Sequence, residues 1–122
     1  MNHNLVRPAN TAEFPTRERV FITERVNDPA IPDVSLADAR VEAGVTTELH
    51  RLDVNEYYVI QSGSGLMEVG DGEPFEIERG DTVVIPAGVS QRITNTGDAD
   101  LRMQCICIPR FTPDGYEALE KK

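Results

Sequence analysis

The sequence predicts an all-β fold of the sandwich or closed-barrel kind. Three observations point there: short segments rich in Val, Ile and Thr recur along the chain, nine glycines and eight prolines punctuate them, and no sustained helical period shows before the last ten residues. At 122 residues the chain is most simply one domain, and a chain of this size buries roughly two-thirds of the surface it exposes when unfolded, enough for a core without staples.

Residues 1–18, with Pro8 and Pro15, read as an N-terminal arm, residues 19–110 as the barrel and residues 111–122 as a tail. The first strand is expected over 19–26, where Arg-Val-Phe-Ile-Thr-Glu-Arg-Val gives way to an Asn27-Asp28-Pro29 break. Further strands are expected over 34–42, 46–52, 56–62, 65–69, 74–78, 82–85, 90–94 and 101–108, about nine in all. The joints between them carry turn chemistry: Asp53-Val54-Asn55, Gly63-Ser64-Gly65, Asp71-Gly72-Glu73, Arg79-Gly80-Asp81, Pro86-Ala87-Gly88 and Thr96-Gly97-Asp98. The tail should form one or two helical turns from Asp114, ending on Lys121 and Lys122.

Charge excludes several classes of partner. Lys and Arg number 12 against 21 Asp and Glu, a formal charge of −9 spread along the chain, which argues against nucleic acid and against an anionic membrane surface. No basic start followed by an apolar run opens the sequence, and no apolar segment nears the ~20 residues that span a bilayer. A cytoplasmic location is expected. Cys105 and Cys107 leave one face of a strand in parallel directions, so they read as two buried thiols rather than a disulfide or half a zinc site.

Alternation then places side chains. Along 46–52 one face carries Thr46, Glu48, His50 and Leu52, the other Thr47, Leu49 and Arg51. If Asp53-Val54-Asn55 closes a hairpin, Leu52 lies opposite Glu56 and His50 opposite Tyr58, so His50 and Glu56 aim at a common point. Taken alone, such a pair is most simply a histidine on a half-buried strand hydrogen-bonded to a carboxylate. A second run, Gly80, Pro86, Gly88, Gln91 and Asn95, raises the functional reading.

The two runs together resemble the paired motifs of the cupin superfamily. Gly44, His50, Glu56 and Gly63 keep the spacing of the first motif, with Leu52 where a second histidine stands in the family. Gly80, Pro86, Gly88 and Asn95 keep that of the second, with Gln91 in place of its histidine. The resemblance covers roughly residues 34–109 and implies a single jelly-roll β-barrel, all-β, of the small single-domain type. It also implies a divalent metal, Fe, Mn, Ni or Zn, at the barrel mouth. The ligands would be His50, Glu56 and Gln91, a set reduced because Leu52 donates nothing and an amide oxygen is a weak donor.

Around that centre, Glu48 could add a fourth ligand or act as a general base, or simply pair with an arginine. Tyr58 could donate a proton, or be a core tyrosine with its hydroxyl satisfied. Ile60, Ile93, Met103, Cys105 and Cys107 would floor a pocket suited to a small, partly apolar ligand. Outward-facing Tyr57, Val59, Val83 and Ile85 call for a cover, and the resemblance implies a homodimer in which 19–26 takes part. Gly63-Ser64-Gly65 joins two strands and precedes no helix, so it is no phosphate loop, and Arg79-Gly80-Asp81 is a turn. Three functions stay open: a metal-dependent oxygenase, isomerase or lyase; a metal-free module that senses or carries a sugar or carboxylate; and a structural barrel with a vestigial pocket.

Overall fold

The computed structural model describes residues 4–120, built from two antiparallel sheets and almost no helix. In chain order the strands are β1 Phe14–Pro15, β2 Phe21–Val26, β3 Ser35–Val41, β4 His50–Leu52, β5 Asn55–Ser62 and β6 Ser64–Val69. They continue with β7 Phe75–Glu78, β8 Thr82–Ile85, β9 Gln91–Asn95, β10 Leu101–Ile108 and β11 Tyr116–Ala118. One sheet runs β1-β2-β3-β10-β5-β8 and the other β11-β4-β9-β6-β7, the two-layer arrangement of a jelly roll. Among the described residues no helix is long and apolar enough to cross a membrane.

Apolar residues alternate inward along both sheets and meet in a core of which Val41, Met67, Leu101, Ile60 and Ile93 are almost fully enclosed. A smaller cluster of Leu52, Val54 and Cys107, backed by Phe111 and Tyr116, forms separately. One joint shows how tightly the layers close. Gly63 has φ +90°, and a β-carbon there would stand 2.8 Å from the Asp100 carbonyl oxygen and 2.9 Å from the Leu101 Cα. Gly63→Ala should therefore destabilise the barrel by about 2 kcal/mol, visible as a lower urea midpoint; an unchanged midpoint would show that the β5–β6 turn can shift away.

Five expectations need correction. The tail is not a helix: a single 3-10 turn, Pro113–Gly115, leads into β11, and the expected end at Lys121 and Lys122 lies outside the described residues. β4 has a free edge, and the registers Tyr116↔Leu52 and Ala118↔His50 fill it, so strand pairing outweighs a weak local helical preference. The arm likewise contributes β1, whose Phe14 pairs with Ile22, and Glu13 pins it to Arg40 at 2.7 Å.

Next, the Asp53-Val54-Asn55 joint is no hairpin. It passes from one sheet to the other, because the Asp53 amide bonds the Gly115 carbonyl at 3.0 Å and the Val54 side chain is buried. The strand expected over 46–52 is regular only from His50, with an isolated bridge between Thr46 and Thr94. Thr46 consequently meets Thr94 hydroxyl to hydroxyl, while Thr47 is buried and accepts the Ile93 amide at 3.0 Å. Finally, Val83 and Ile85 face inward. Their registers, Tyr58↔Val83 and Glu56↔Ile85, place them on the core face, and Val84 is the residue left outside.

Candidate functional site

The two sheets hold polar residues in facing pairs. In the second sheet His50 on β4 stands in register with Gln91 on β9; in the first, Glu56 on β5 stands in register with Cys107 on β10. Between the layers lies a cavity of about 540 Å³ whose lining includes His50, Glu56, Tyr58, Ile93, Met103 and Cys105. That size accommodates a small organic molecule. Of the apolar floor expected from alternation, Ile93, Met103, Cys105 and Cys107 line the cavity, while Ile60 is sealed in the core instead; Val20 and Ala39 add to it.

Glu56, Gln91 and Tyr58 are brought together, as a hydrogen-bonded chain. The Tyr58 hydroxyl donates to Gln91 Oε1 at 2.5 Å, Gln91 Nε2 donates to Glu56 Oε1 at 2.9 Å, and the Cys107 thiol donates to Glu56 Oε2 at 3.5 Å. Burial pushes the Glu56 carboxyl up to about 7, although the Gln91 and Cys107 bonds pull against it, and the nearby Glu18 raises it further. Burial also holds the Tyr58 phenol well above its ordinary range, as it does the Cys105 thiol.

His50 is fixed from two sides. Its Nδ1 lies 2.7 Å from the Glu48 carbonyl oxygen and its ring stacks on Tyr116 at 4.7 Å and 16°. A carbonyl can only accept, so Nδ1 carries the hydrogen, and the tautomer that this bond selects has Nε2 as its acceptor. The residue is 2 % exposed and lines the cavity, and among the described residues no side chain takes Nε2.

Glu48 does not join this group. Its carboxylate is held by Arg17, Nε to Oε1 at 3.2 Å, and by a short hydrogen bond from the Tyr116 hydroxyl. Burial would raise the carboxyl, but those two bonds outweigh it and hold it low. Arginine pairing, one of the two readings open in the sequence, is what the fold adopts. Burial, reinforced by the same bond, lifts the Tyr116 phenol above its ordinary range.

Glu18 is the functional residue that motif reasoning missed. It belongs to a turn in which the Thr16 amide and the Val20 carbonyl bond at 3.0 Å and Arg19 takes φ +69°, a left-handed conformation unusual outside glycine. Its backbone carbonyl accepts the Glu48 amide at 3.0 Å, and its side chain lines the cavity. Burial raises its carboxyl, His50 offsets part of the rise, and Glu48 adds to it. Alternation carried back from β2 would have found it, since Glu18, Val20, Ile22, Glu24 and Val26 all line the cavity.

Two facing antiparallel sheets around a ligand-sized cavity define a jelly-roll pocket protein. The family model of the cupin domain matches residues 37–109, and the chain belongs to that family. An uncharacterized protein of Methanocaldococcus jannaschii is 39% identical over 88 residues, covering 70% of this chain and 69% of its own. The polyketide cyclase RemF from Streptomyces resistomycificus superposes with a TM-score of 0.78 at 15% identity, over 97% of this chain and 86% of that one. A predicted oxalate decarboxylase from Thermotoga maritima gives 0.74 at 23% identity, over 86% of this chain and 98% of that one. At such identities these two structures establish the fold alone.

The fold family makes a metal worth testing against these residues. Gln91 oxygen already takes the Tyr58 proton, and its nitrogen is turned to Glu56. Leu52 is packed in the small apolar cluster. Among the described residues no three His, Cys, Asp or Glu side chains gather closely enough to hold a metal ion. As arranged, His50, Glu56 and Gln91 are a hydrogen-bonding set and not a ready ligand set.

Proposed function

We propose that this chain binds a small, partly apolar organic molecule in the cavity, by hydrogen bonding and apolar contact and without a metal. The single observation that carries the reading is His50: a ring locked by Glu48 and Tyr116, with one acceptor nitrogen left for a guest in a cavity of about 540 Å³. Locking the ring in advance removes an ordering cost from binding.

The test is thermal denaturation with a small-molecule panel, run with and without chelator. Ligand-dependent stabilisation that survives chelator, and is lost in His50→Ala, is the expected result. Stabilisation abolished by chelator would favour the second reading, a divalent metal, Fe, Mn, Ni or Zn, on His50, Glu56 and Gln91 with Tyr58 as the proton donor of an oxygenase, isomerase or lyase. What supports that reading is the convergence of His50 and Glu56 on one cavity. It requires the Gln91 amide to give up Tyr58, and about one metal per chain by elemental analysis.

The proposal includes a homodimer. Ile106, Tyr57 and Val84 form one row across three strands of the first sheet's outer face, and Val84 is 59% exposed. Light scattering should return twice the chain mass, and Val84→Glu should shift it towards one; a monomer in both would end this part of the reading.

A further inference from the structure

The polar end of the cavity has a sign. Three carboxyls, Glu18, Glu24 and Glu56, line it against one guanidinium, Arg17, and that cation is already spent on a fourth carboxylate, Glu48. The hydroxyls around His50 are committed as well, Tyr58 to Gln91 and Tyr116 to Glu48. Two acceptors stay open to a guest, Nε2 of the buried His50 and the Glu18 carboxylate, for which no side-chain hydrogen-bond donor stands among the described residues; the Thr47 hydroxyl, which accepts the Ile93 amide, lines the same cavity as a neutral donor. An anion would meet uncompensated negative charge in a place of low dielectric. The walls opposite, from Val20, Ile22, Ile93 and Met103, are apolar.

We propose that the occupant is an organic ammonium ion on an apolar body, its N–H groups donated to His50 Nε2 and the Glu18 carboxylate. The inference rests on the small-molecule reading above and narrows it from small, partly apolar organic molecules to amines. Glu18 is the specificity-determining residue. It sits in the segment between β1 and β2, outside the core, where the change to glutamine keeps the size and removes the charge.

The test compares three molecules of one shape, phenethylamine, 2-phenylethanol and phenylacetate, by calorimetric titration at about pH 8 with chelator present, where an alkyl ammonium is charged and a carboxyl raised by burial is better ionised than at neutral pH. The amine should bind about tenfold more tightly than the alcohol, with phenylacetate weakest. Glu18→Gln should bring the amine's affinity down to the alcohol's, and it should not lower the thermal midpoint of the free protein, since it removes a charge that burial disfavours. Tighter binding of the alcohol or the acid, or an amine preference that survives Glu18→Gln, overturns the inference and leaves the cavity a binding site of another chemistry. Binding by none of the three overturns the small-molecule reading along with it.

Discussion

Asn95→Ala should cost the fold about 4 kcal/mol, more than any single truncation in the cavity, because Asn95 is a structural hub and touches no guest. The residue is 1% exposed. Its Nδ2 donates to the Val41 and Ala99 carbonyls at 2.9 and 2.8 Å, and its Oδ1 accepts the Gly97 amide at 2.9 Å. Alanine strands three backbone groups that lie within or beside the core, each worth about 1 to 3 kcal/mol when left unmet. Urea denaturation followed by circular dichroism measures the loss. Aspartate at 95 keeps the acceptor and forfeits the two donated bonds, so it should fall close to alanine; a variant within 1 kcal/mol of the parent would mean that water replaces the side chain.

Glu56→Gln should make the barrel more stable at neutral pH and flatten its dependence on pH. The Glu56 carboxyl titrates near 4.5 in the unfolded chain and at about 7 in the folded one, so the folded state holds the proton more tightly. Its contribution is full below the unfolded value, is lost as pH rises through about 7, and is constant beyond. Two and a half units correspond to a loss on the order of 3 kcal/mol by about pH 8. Glutamine carries no such charge, and its oxygen can still accept from Gln91. Urea midpoints for both proteins between about pH 4.5 and 8 should diverge as pH rises, with the variant on top. Parallel curves would mean that Glu56 stays ionised throughout and that its burial is relieved by water.

Much of the architecture was legible in the alternation of Val, Ile and Thr and in the glycine turns. The misplacements have a common physical source, namely that a strand's partner is not written in the strand. Val83 and Ile85 alternate equally well either way round, and only pairing with β5 fixes which face is inward. Residues 114–120 carry a weak helical pattern, yet β4 offers an unfilled edge and the backbone takes it.

The candidate site divides in the same way. His50, Glu56 and Gln91 sat at motif spacing, and the fold does gather them, together with Tyr58. Their mutual bonding was not legible, since it depends on Gln91 and Tyr58 approaching from opposite sheets. Glu48 left the site because Arg17 and Tyr116, both distant in sequence, reach it first. Glu18 entered from a segment that had been set aside as an arm.

The segments that flank the barrel meet over the cavity. Thr16, Arg17 and Glu18 border it from one segment and Tyr116 from the other, and beyond them Arg19 joins Glu120 at 2.7 Å, from positions 48% and 31% exposed. An ion pair so wet is worth little and yields to salt. The two segments are joined by more than that pair, since Arg17 and Tyr116 share the Glu48 carboxylate and the Leu49 amide bonds Glu120, so added electrolyte should loosen this rim without parting it.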